Sequence, residues 1–121
     1  MNFVVKQGLT PHTSVVLKEN EKKALEELKR ALSEKLEILD FRLFGSKARG
    51  TSDPESDLDV MIELPESDAQ IEAQIDNIIF KINLGNDVFL SAVFFGTKEL
   101  QEGPMTESPL YKVIREEGIT I

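Results

Sequence analysis

The chain has no cysteine and a single histidine in its 121 residues. Without cysteine there is no disulfide framework, no thiolate zinc centre and no cysteine nucleophile, and a reducing compartment is compatible. Any metal would be held by oxygen ligands or by His12. Apolar runs approaching the roughly 18 residues that a membrane-spanning helix requires are absent, so no membrane segment is expected. The first six residues show no basic region leading into an apolar stretch, so export by that route is not expected either and the cytoplasm is the expected compartment. Positive charge is in short supply: 14 basic residues face 22 acidic ones, for a net charge of −8. Such a surface repels phosphate backbones, which argues against broad nucleic-acid binding. Repeats, low-complexity tracts and Pro/Gly/Ser-rich linkers are also missing. What remains is an ordinary globular composition, 40% hydrophobic and 30% charged, at the length of one domain.

Hydrophobic spacing divides the chain into elements. Residues 1–17 form a weakly patterned arm, in which Val15, Val16 and Leu17 suit a short strand or a packing arm. From Glu19 to Lys35 a helix is expected, with Leu25, Leu28, Leu32 and Leu36 at helical intervals. Ile38 to Phe44 alternates as a strand, Leu39, Phe41 and Leu43 opposing Asp40 and Arg42, and runs into a short helical turn at Gly45-Ser46. A polar turn over 51–55 precedes a second strand, Asp57 to Leu64. Its Leu58, Val60, Ile62 and Leu64 oppose Asp57, Asp59, Met61 and Glu63. Ser67-Asp68-Ala69-Gln70 has capping-box spacing, and Ile71, Ile75, Ile78, Ile79 and Ile82 predict a helix that Gly85 stops. The almost continuously apolar stretch from Asp87 to Phe95 reads as a central strand covered on both faces. Ser108-Pro109 then caps a helix through Glu117, with Leu110, Val113 and Ile114 inward and Gly118 ending it. The order helix, strand, strand, helix, strand, helix implies an α/β (α+β) fold, a small mixed sheet with flanking helices.

Asp57 and Asp59, two apart on a strand, direct their carboxylates to one side about 6–7 Å apart along the chain. Magnesium takes one or two protein carboxylates and fills its other positions with water and phosphate, so this pair suits it. Taken alone, the pair equally suits a solvated strand face. Gly45 lets the backbone approach a ligand closely, and helix-start amides with the Ser46 hydroxyl can donate to phosphate oxygens. Alone, Gly45-Ser46 also suits a plain strand-end turn. Lys47 and Arg49 either support phosphates or lie at the surface. Repulsion between the paired carboxylates is a cost that a bound cation would reverse.

Together, Gly45-Ser46-Lys47-Ala48-Arg49-Gly50 and Ser56-Asp57-Leu58-Asp59 resemble the signature of the DNA polymerase β-like nucleotidyltransferase superfamily, and most closely its minimal nucleotidyltransferase branch. The resemblance covers roughly 37–95, and the stretch from Ser108 to Ile119 is similar to the branch's last helix. It implies a single nucleotidyltransferase domain over 1–121, with 1–17 as an arm and 37–95 as the motif-bearing core. It also implies that Asp57 and Asp59 hold two Mg2+ ions, that Gly45 and Ser46 grip the terminal phosphates of ATP or another NTP, and that Lys47 and Arg49 assist. The implied reaction transfers a nucleoside monophosphate to a hydroxyl on a protein, RNA or small molecule and releases pyrophosphate.

The family places a third carboxylate on a later strand, and Asp87 is the candidate here for both metal binding and catalysis. Asp87 also suits a turn, and a register with Phe89 at that position would leave the site without its base. Minimal members commonly act beside a separate all-helical partner of the HEPN type, often as the antitoxin of a toxin and antitoxin pair. The alternative is a catalytically inactive module with the same fold that binds nucleotide or covers a partner protein. His12 reads as a surface residue. Tyr111 reads as a half-buried helix residue, or, if exposed, as a nucleotide acceptor.

Overall fold

The computed structural model describes residues 17–50, 57–102 and 108–121. Helix α1 (Glu19–Lys35) matches its expected bounds and is followed by β1 (Asp40–Phe44), the one-turn α2 (Gly45–Arg49) and β2 (Leu58–Leu64). Then come α3 (Ala69–Asn86), β3 (Leu90–Gly96), α4 (Thr97–Glu102), α5 (Pro109–Glu117) and the two-residue β4 (Ile119–Thr120). The six expected elements are present, and α2, already read as a helical turn, is joined by α4 and β4.

The strands form one mixed sheet in the order β3-β2-β1-β4. β1 runs antiparallel to β2, with Phe44 opposite Asp59 and Asp40 opposite Glu63. β3 lies parallel to β2, with Leu58 opposite Leu90 and Asp59 opposite Ser91. A parallel pair needs a crossover, and α3 supplies it. On one face, α1 and α3 bury Leu25, Leu28, Leu32, Ile75, Ile79 and Ile82 against Leu43, Leu58, Val60 and Ile62. On the other, Met61, Phe95 and Ile114 form a smaller cluster beneath α5.

Several expectations need correction. Among the described residues, β3 starts at Leu90 and stands at a sheet edge, not in the centre, and it is not covered throughout: Phe89 and Ser91 are exposed and Ala92, Val93 and Phe94 half-buried. α3 continues through Gly85 to Asn86, and Asp87, in the left-handed region at φ 55°, closes it. Its cap is Asp68, whose carboxylate accepts from the Ile71 amide at 2.8 Å, while Ser67 instead donates to Glu72. In α5, capped by Ser108 as expected, only Ile114 is fully buried; Leu110 and Val113 are exposed. Leu39 is exposed as well, lying just before β1.

Candidate nucleotide site

β1 carries the chain to Phe44, directly opposite Asp59, and the backbone turns there into α2. Gly45 makes that turn at φ 76°, in the region glycine enters without steric cost. A Cβ on Gly45 would lie 2.6 Å from Asp59 Oδ2. Glycine is therefore required by the backbone conformation, and a side chain in its place would displace the Asp59 carboxylate. This contact brings together the two motifs that the sequence keeps apart.

The Asp59 carboxyl is held above the usual carboxylate range, first by burial and then by the charge of Asp57; a hydrogen bond from Ser91 and the charge of Arg49 act in the opposite direction. Asp57 is exposed at the threshold of β2, where the next amide, that of Leu58, bonds the Phe89 carbonyl at 2.8 Å. Gly45, Arg49, Asp57 and Asp59 thus converge on one end of the sheet, on the face that α5 covers farther along. Ser46 follows Gly45 in the first turn of α2. Ser56 and His12 lie outside the described residues.

Asp87 is placed elsewhere. It caps α3, three residues before β3 begins, and its carbonyl accepts from the Asn20 side chain at 3.2 Å. Among the described residues, no group of three or more His, Cys, Asp or Glu side chains could hold a metal ion, so Asp87 does not join Asp57 and Asp59. Along β3, the residues level with the pair are the exposed Phe89 and Ser91.

Lys47 is not a surface residue. It is 3% exposed, and its Nζ lies 3.0 Å from Oε2 of Glu21, itself 5% exposed. Pattern reading passed over Glu21, although a signal was there: Glu21 precedes Leu25 by four residues and so occupies the apolar stripe of α1. Glu63, which alternation sets on the aspartates' side of β2, is enclosed as well. It is buried beneath α5, accepting from Tyr111 Oη and Thr97 Oγ1, each at 2.7 Å. Burial, followed by this bond to Glu63, raises the Tyr111 pKa, and the ring meets Phe95 edge-on with centroids 5.1 Å apart. The tyrosine hydroxyl is thus engaged in packing α5 to the sheet.

No curated protein sequence matches the chain significantly. A chain from a toxin-antitoxin structure solved with AMP-PNP is similar in fold, with a TM-score of 0.53 and 20% identity over 82% of this chain and 70% of that one. A nucleotidyltransferase candidate from Sulfolobus solfataricus aligns over 87% of both chains at 14% identity and a TM-score of 0.46. The family model described as nucleotidyltransferase domain matches residues 25–117, which contain both motifs and all the strands except the two-residue β4. By that match, the chain belongs to the nucleotidyltransferase domain family.

Proposed function

We propose that the protein is a Mg2+-dependent nucleotidyltransferase that moves AMP from ATP to a hydroxyl acceptor. The observation that carries this reading is the contact of Gly45 with Asp59 Oδ2, with Asp57 raising the Asp59 pKa from alongside. A crowded, partly desolvated carboxylate pair is unfavourable by itself and becomes favourable around a hard cation. The donor set fits magnesium: hard oxygen ligands, few in number, beside a backbone that can admit phosphate. When bound, the ion would neutralise phosphate charge.

The chain's own residues supply positioning. Asp57 and Asp59 fix the metal's place. The amides at Gly45 and Ser46, the Ser46 hydroxyl and the Arg49 guanidinium hold the terminal phosphates in line. The acceptor hydroxyl oxygen bonds to the α-phosphorus as the bond from that phosphorus to the bridging oxygen of the β-phosphate breaks. Pyrophosphate leaves, and the hydroxyl proton passes to solvent or to a base on the acceptor side.

In this reading the acceptor surface is provided by a partner. We assign that role to a separate helical protein of the HEPN type, with this chain as the antitoxin of the pair and the cytoplasm as their compartment. A neighbour of similar fold occurring in a toxin-antitoxin structure with AMP-PNP supports a partner protein and nucleotide binding; the HEPN type follows from the family resemblance alone. A second reading, an inactive nucleotide-binding or partner-covering module, is favoured by the absence of a three-carboxylate group among the described residues.

Incubation with Mg2+ and α-labelled ATP, alone and with a co-purifying partner, separates the two readings. The enzyme reading predicts label transfer with pyrophosphate release, lost by at least about 100-fold in Asp59→Asn. Transfer that survives the substitution rules out the assigned site. Nucleotide binding without transfer under every condition establishes the module.

A further inference from the structure

We propose that Glu21 and Lys47 form a positioning pair that sets the nucleotide affinity of the site without touching the nucleotide. The inference rests on the functional reading above and concerns residues that the reaction itself does not use. Glu21 divides its carboxylate between two tasks. Oε1 accepts from the Lys18 amide at 2.8 Å, closing the first turn of α1, and Oε2 holds Lys47 Nζ at 3.0 Å. Both side chains are almost completely enclosed, and no described buried side-chain nitrogen or oxygen lacks a partner.

Lys47 is the middle residue of α2, a helix of only five residues. No side chain caps that helix, and Lys47 and Ala48 are its only buried residues. A single turn has little stability of its own, so its orientation follows from what anchors it. Ala48 contributes one methyl group, whereas Lys47 contributes a directional, charge-assisted bond to the first turn of α1. The anchored turn holds Gly45 against Asp59 Oδ2 and carries Ser46 and Arg49 beside it. A buried ion pair is seldom the most stable way to fill a core, because a packed apolar pair avoids the desolvation cost. Its directional geometry serves the placement of α2.

The test is calorimetric titration of a non-hydrolysable ATP analogue with Mg2+ into the wild type, Glu21→Gln, Lys47→Met, the double variant and Lys47→Arg, well below each unfolding midpoint. Glu21→Gln leaves the lysine in place, so direct phosphate contact by Lys47 predicts unchanged or tighter binding. Positioning predicts binding about tenfold weaker in either single variant, no further loss in the double variant, and near-wild-type affinity for Lys47→Arg. If Lys47→Met does not fold, Glu21→Gln decides alone. Wild-type affinity in Glu21→Gln, even with a lowered midpoint, overturns the pair's role while leaving the nucleotide site standing. A wild type that binds no nucleotide overturns both together.

Discussion

At the scale of single residues, Asp59 is the most informative position. Its carboxylate touches the one place where Gly45 leaves no room for a side chain, accepts from Ser91 across the β2–β3 ladder, and is repelled by Asp57. Because its folded-state pKa lies above the ordinary value for a carboxylate, the folded chain binds this proton more tightly than the unfolded chain does. The penalty is absent below the unfolded pKa, grows as pH rises through the window up to the raised folded value, and is full above it. Asp59→Asn is therefore expected to raise the metal-free midpoint of thermal unfolding at neutral pH by a few degrees, and to abolish any increase in midpoint from Mg2+ with nucleotide. A lower midpoint in the metal-free variant would show that the carboxylate is held by interactions that outweigh its repulsion. Gly45, Asp57 and Asp59 were singled out in the sequence by the resemblance of their two motifs to a known family, since each motif alone also suits a plain turn or a solvated strand face. The Glu21–Lys47 pair was not, since linking α1 to α2 takes tertiary packing.

At the scale of elements, the strands and helices follow periodicity, and the departures follow from context that periodicity does not encode. Alternation located β2 but does not tell which residues of its Asp57–Glu63 side reach solvent. In the fold, only the Asp59 end of that side stays accessible; Met61 and Glu63 are buried beneath α5. α3 runs past Gly85 because nothing forces a left-handed residue there, and Asp87 takes that conformation two residues later. Asp87 thereby became the end of a helix, whereas the family comparison had marked it as a candidate strand acid. The link between α5 and the sheet is testable in the same terms. Tyr111→Phe removes one of two hydroxyl donors, Tyr111 Oη and Thr97 Oγ1, to the buried Glu63 carboxylate. A loss of about 1–3 kcal/mol in denaturant unfolding is expected, with nucleotide affinity unchanged. An unaltered midpoint would show that the bond adds nothing to the attachment of α5.

At the scale of the whole molecule, the architecture divides labour between the two faces of the sheet. α1 and α3 seal one face with the main core, and α5 seals part of the other. Among the described residues, the β2 end beside the turn of Gly45 and Ser46 carries an exposed Asp57 and a half-buried Asp59. The net charge of −8 makes a free polyanion an unfavourable ligand unless its charge is locally neutralised, so nucleotide should bind as its magnesium complex. Calorimetric titration of a non-hydrolysable ATP analogue, with Mg2+ and again with the metal chelated, tests this most directly. The account predicts metal-dependent binding, weakened at least about tenfold by chelation and by either Asp57→Asn or Asp59→Asn. Equal affinity with and without Mg2+, or in the two variants, would contradict it.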